Sequence, residues 1–88
     1  MAFGLEISAL ADSKFAKMAR KDKKSLEAIN AKIGQILENP EHFKPLRGDM
    51  HGARRVHINT SFILIYEIDK KNSIVRILDY APHDKVYG

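Results

Sequence analysis

Apolar and polar residues alternate over Phe3-Gly4-Leu5-Glu6-Ile7, so the chain opens on a short strand. From Ala9 the period lengthens to that of a helix running to about Arg20. Leu10, Phe15 and Met18 are expected on its buried face, with Lys14, Lys17 and Lys21 toward water. Asp22 suits the N-cap of a second helix, because its short carboxylate can accept from unpaired first-turn amides. Leu26, Ile29, Ile33, Ile36 and Leu37 form that helix's apolar stripe. Asn39-Pro40 ends it, since proline pushes the residue before it out of helical geometry. The two segments read as an antiparallel helical hairpin whose turn carries Lys21, Lys23 and Lys24.

Past Pro40 the period returns to two. Pro45-Leu46-Arg47-Gly48 reads as a short strand entering a turn over 49–52, and further strands are predicted over 54–58, 62–68 and 73–80. Asn59-Thr60-Ser61 and Asp69-Lys70-Lys71-Asn72 supply hairpin turns between them. Phe62-Ile63-Leu64-Ile65-Tyr66 is apolar at every position, the mark of a central strand covered on both faces. The expected fold is α+β and a single domain over 1–88. It has an N-terminal strand, a helical hairpin, then an antiparallel meander of about four strands. The helices cover one sheet face and leave the other partly open.

The length of 88 residues fits one such domain, and 44% hydrophobic residues suffice for a core. Cysteine is absent, so no disulfide or thiolate metal site can form, which fits a reducing cytoplasm. The first residues lack the basic and apolar regions of a signal peptide, and no apolar run is long enough to span a membrane. Fifteen Lys and Arg against 11 Asp and Glu give a net charge of +4, which attracts phosphate backbones and acidic partners.

From Lys44 onward, basic and imidazole groups recur at Lys44, Arg47, Arg54, Arg55, His57, Arg76 and His83, set against Asp49, Glu67, Asp69, Asp79 and Asp84. Arg55 and His57 are two apart on one strand and leave the same face, with Val56 and Ile58 on the other. The pair is also what a merely solvated strand face looks like. The tail adds His83, Asp84 and Tyr87. Cleaving RNA through its own 2′-OH needs a base, an acid for the leaving 5′-oxygen and cations for the phosphorane. Histidine suits the proton transfers and arginine the phosphate. His42, His51, His57 and His83 show no metal-ligand spacing, and there is no phosphate-binding glycine loop or nucleophile elbow, so no metal or cofactor is expected. Phe62, Tyr66 and Tyr80 fall in strand patterns and are assigned to the core.

Lys44-Pro45-Leu46-Arg47-Gly48, then Gly52-Ala53-Arg54-Arg55-Val56-His57-Ile58, Phe62-Ile63-Leu64-Ile65-Tyr66-Glu67-Ile68 and Asp79-Tyr80-Ala81-Pro82-His83-Asp84-Lys85-Val86-Tyr87 together resemble the RelE/YafQ toxins. The resemblance covers essentially the whole chain and includes the order of elements. It implies a ribosome-dependent mRNA endonuclease acting in the A site, neutralised by a cognate antitoxin and reaching operator DNA only through it. Carried over by position, His57, His83 and Tyr87 are the catalytic candidates, Arg55 falls among the residues that grip RNA, and Lys44 stands where YafQ-like members carry a histidine. Arg47, Arg54 and Arg76, from the same basic group, complete the candidates for gripping RNA. His83 is expected as general acid, with His57 as base or phosphate ligand. Ser61, Phe62, Ile63 and Asp79 depart from the family pattern, the last two standing where some members carry arginine. Those departures leave two alternatives in view. One is a ParE-like toxin that binds gyrase without cleavage, against which the His83–Tyr87 ending argues. The other is a catalytically weak toxin acting mainly as an antitoxin-binding corepressor.

Overall fold

Ser8 sets the first junction of the chain. It ends strand β1 (Gly4–Ile7) and caps helix α1 (Ala9–Lys21), its Oγ accepting from the Ala11 amide at 3.1 Å. The computed structural model describes residues 3–43, 53–58 and 62–82. Helix α2 (Lys23–Glu38) starts as expected at Asp22, whose carboxylate accepts from the Ser25 amide and hydroxyl. Those bonds hold the Asp22 carboxyl below its ordinary pKa. Three strands follow: β2 (Ala53–His57), β3 (Phe62–Asp69) and β4 (Ile74–Pro82). The strand expected over 45–48 and the turns at 49–52 and 59–61 lie outside the described residues.

The sheet order is β1-β4-β3-β2. β2, β3 and β4 form an antiparallel meander, and β1 pairs parallel with β4 on the far edge. The β3–β4 turn forms where the sequence predicts it. Asp69 accepts from both the amide and the side chain of Asn72, which lowers its pKa, and Ser73 takes the left-handed φ of 54° that completes the turn.

Val56, Ile58, Leu64, Tyr66, Val75, Ile77 and Tyr80 face the helices and pack on Ala11, Phe15, Ile29, Ile33 and Ile36. Ile63 and Ile65 are buried on the opposite face with Ala53 and Leu78. The apolar run in β3 is therefore covered on both faces, as its composition requires. One helix position differs from expectation. Leu10 is 55% exposed, and its place in the core goes to Ala11, which stands four residues before Phe15 and seven before Met18. Leu10 is a full helical step off that stripe.

Between Ile65 and Tyr66 the register with β4 shifts: Ile65 pairs with Asp79, but Tyr66 pairs with Ile77. The extra residue on β4 is a bulge. Ser8 stabilises it, its amide donating to the Ile77 carbonyl at 2.8 Å and its hydroxyl to the Leu78 carbonyl at 2.7 Å. Lys14 of α1 reaches the same place, bonding Asp79 Oδ1 at 2.6 Å and the Tyr80 carbonyl at 2.9 Å. Among the described residues, no helix is long and apolar enough to cross a membrane.

Candidate active site

Among the described strands, β2 lies at the sheet edge and pairs with β3 alone. Arg55 lies opposite Ile65 and His57 opposite Ile63, both on the face away from the helices, while Val56 joins the main core. The period-two reading of this strand therefore holds. His57 is exposed and Arg55 half-buried.

The other wall of the site comes from the turn after α2, which the sheet holds at several points. Pro40 is buried, and its carbonyl accepts from the Tyr66 hydroxyl. Arg54 sends Nη1 to the Phe43 carbonyl at 2.7 Å and the Glu41 carbonyl at 3.3 Å. Lys70 pairs with Glu41 at 2.6 Å and holds its carboxyl below the ordinary pKa. The Phe43 ring meets Tyr66 edge-on at 6.4 Å, and His42 meets Phe43 edge-on at 5.1 Å. His42 is thus presented on an anchored turn.

Between this turn and β2 lies an open cleft of about 380 Å³ lined by Lys32, His42, Phe43, Arg55, Val56 and His57. No carboxylate stands among these described lining residues, so the cleft combines two imidazoles, a guanidinium and an ammonium over a partly apolar floor. Such a set can bind a phosphodiester and exchange protons with it.

Of the residues singled out from sequence, the fold brings Arg55 and His57 together here. Arg54 lies on the helix side of the strand and spends its donors on the turn's carbonyls. Arg76 lies on the open face but two strands away, bonded to Glu67 at 2.7 Å and Glu6 at 3.1 Å, with Asp69 at 4.0 Å. The Glu67 and Glu6 bonds raise its pKa further. Lys44, Arg47, His83 and Tyr87 lie outside the described residues. Periodicity and spacing do not place His42 or Lys32 in the site. Lys32 sits one residue from the buried Ile33, which is the only local sign that it could reach the β2 edge.

A helical hairpin on a four-stranded mixed sheet is a fold shared with solved toxins of type II toxin–antitoxin systems. The chain belongs to that class: the family model of the ParE toxin of the type II toxin-antitoxin system, parDE, matches residues 5–87. An uncharacterized protein of Methanosarcina mazei is 47% identical over 83 residues, 94% of this chain and 96% of its own. A Methanocaldococcus jannaschii chain provisionally named toxin RelE4 is 38% identical over 85 residues, 97% of this chain and 90% of its own. The fold matches the toxin–antitoxin complex RelBE2 of Mycobacterium tuberculosis with a TM-score of 0.79 at 21% identity, covering 94% of this chain and 100% of that one.

Proposed function

We propose that this toxin, residues 1–88 acting as one cytoplasmic domain, is an endoribonuclease that cuts mRNA in the A site of the ribosome. The observation that carries the reading is the cleft at the β2 edge, where the His57 imidazole and the Arg55 guanidinium stand together with no carboxylate among the described lining residues. A protein that acts by binding gyrase has no need of an imidazole beside a phosphate-binding guanidinium, whereas transesterification of RNA does. In the proposed reaction a base removes the proton of the 2′-OH, and the resulting oxygen attacks the adjacent phosphorus. The 5′-oxygen leaves with a proton from an acid, giving a 2′,3′-cyclic phosphate and a 5′-hydroxyl. His57 is assigned as base or phosphate ligand and Arg55 to the phosphorane charge. His83 is assigned as acid with Tyr87 beside it, and Lys44 and Arg47 to the flanking backbone. Arg54 and Arg76, already engaged by the protein, support that site from outside it.

The partner is a cognate antitoxin, through which the toxin reaches operator DNA. The apolar stripe of α2 is consumed by the sheet, so the hairpin does not offer it to a partner. Among the described residues, the exposed large apolar side chains are instead Leu5 and Ile7 on the edge strand β1 and Leu10 in the first turn of α1. An edge strand with apolar side chains is a surface a partner chain can cover.

A translation-coupled mRNA cleavage assay tests the reading, with cyclic-phosphate ends at A-site codons as the expected product. The ParE family match favours gyrase binding as the second reading. Gyrase inhibition without cleavage would establish it, and neither activity would leave a corepressor module.

A further inference from the structure

The clamped turn after α2 has no part in the two-histidine scheme above, yet it builds one side of the cleft. Tyr66 holds Pro40, Arg54 holds Glu41 and Phe43, and Lys70 holds Glu41. These anchors come from β2, β3 and the turn that follows β3, so the turn is fixed to the same elements that carry Arg55 and His57. The described side chains it places beside β2 are His42 and Phe43, and α2 adds Lys32. Lys32 and His42 supply donors for oxygen, while Phe43 gives an apolar surface. A volume of about 380 Å³ falls in the range of small-ligand clefts. Because Val56 belongs to the helix side of β2 and Arg55 and His57 to the open side, the cleft wraps the edge of the strand.

We propose that Lys32 and His42 form a second phosphate subsite, holding the RNA backbone phosphate next to the one at Arg55 and His57. The ribose between the two phosphates lies on Phe43. The RNA strand thereby crosses the β2 edge, turning from the open face of the sheet onto the flank of α2. This inference rests on the nuclease reading for the identity of the strand as mRNA. It does not depend on cleavage. Lys32 and His42 act in grip and register, and the proton transfers remain with other groups.

The experiment is equilibrium binding of a short single-stranded oligoribonucleotide to the purified toxin across a salt series, comparing wild type with Lys32→Gln, His42→Gln, the double variant and Lys17→Gln. Lys17 is an exposed lysine on α1, so its variant removes the same charge away from the cleft. For a single strand, each phosphate that the protein ceases to neutralise flattens the log–log salt slope by roughly 0.7. The double variant is expected to bind at least tenfold more weakly with a slope shallower by about 0.7–1.4, and Lys17→Gln to match wild type. Melting temperatures confirm the fold, and Lys32→Glu, which should weaken binding beyond Lys32→Gln, gives an independent reading. Equal affinity and slope in wild type and double variant would overturn the subsite, as would an equal weakening in Lys17→Gln. So would a fall of tenfold or more in single-turnover cleavage by His42→Gln at saturating ribosomes with affinity unchanged, which would make His42 catalytic. If mRNA is not cut in translation but the oligoribonucleotide results hold, the nuclease reading falls and the subsite stands.

Discussion

Tyr66, in the middle of β3, donates its hydroxyl to the carbonyl of Pro40, 26 residues earlier in the chain. The bond is buried and joins the sheet to the turn that carries His42. Tyr66→Phe keeps the ring in the core but leaves the Pro40 carbonyl without its partner, at an expected cost of about 1–3 kcal/mol in urea unfolding. Oligoribonucleotide affinity should fall with it, because His42 loses an anchor.

The same residue predicts an alkaline limit. Burial pushes the Tyr66 phenol up to about 12, and burial raises Tyr80 in the same direction. A tyrosine in the unfolded chain titrates near pH ~10. The stabilising contribution is therefore complete below that pH and is lost as pH rises from about 10 toward 12. Tyr66→Phe should flatten the decline of stability over this window. An equally steep decline in the variant would assign the effect elsewhere.

Lys14 and Asp79 pair across α1 and β4 with about a third of each side chain exposed. Water screens such a pair, so Asp79→Ala should cost roughly 0.5–1 kcal/mol. Asp79→Arg sets like charge against Lys14 and should cost more. Adding Lys14→Glu should recover most of the loss, and a double-mutant cycle measures the coupling.

Ser8→Ala removes both the α1 cap and the donor to Leu78. The expected loss is about 1–3 kcal/mol, more than a cap on a free helix end, because the Leu78 carbonyl at the bulge is also released. Ser8→Asp restores an acceptor for the cap but not the donor. It should recover only part of the stability in the same urea titration.

For the reaction, His83→Ala should slow single-turnover cleavage by about 10²–10⁴-fold with ribosome binding nearly intact. Arg55→Ala should instead weaken binding and flatten its salt slope by roughly 0.7. A loss under threefold for His83→Ala would pass the acid role to Tyr87, the next group to test.

The antitoxin surface has its own test. Leu5→Ser, Ile7→Ser and Leu10→Ser alter exposed side chains, so each should leave the melting temperature within a few degrees. Each should nevertheless weaken the toxin–antitoxin complex measured by titration calorimetry. Undiminished affinity in the triple variant would move the interface elsewhere.

The elements are legible in the sequence because periodicity is a local signal. The switch from period 3.6 to 2 at Pro40, the Asp22 cap and the Asp69–Asn72 turn each depend on residues close in the chain. Leu10 and Ala11 show where that signal fails: hydropathy favours leucine, but position on the helix decides which residue faces the sheet. The pairing of Arg55 with His57 on one face follows from alternation alone. The fates of Arg54 and Arg76 do not, because their partners are chosen by tertiary structure. Glu6 stands 70 residues from Arg76, and the carbonyls that Arg54 meets belong to a turn with no periodic signature. In the sequence His42 figures only as a rejected metal ligand, since nothing local shows that its turn docks against β2.

β4 lies between β1 and β3, although β1 is the first strand of the chain and β4 the last described. During synthesis, β1 and the helical hairpin emerge with no sheet to cover, and they wait until residues 74–82 arrive to join the two halves. Such long-range closure is slow, and it leaves apolar edges uncovered in the interval. The β2 edge acquires its rigid backing only when β4 is inserted. A partner that captures β1 early would meet the chain before its sheet is closed.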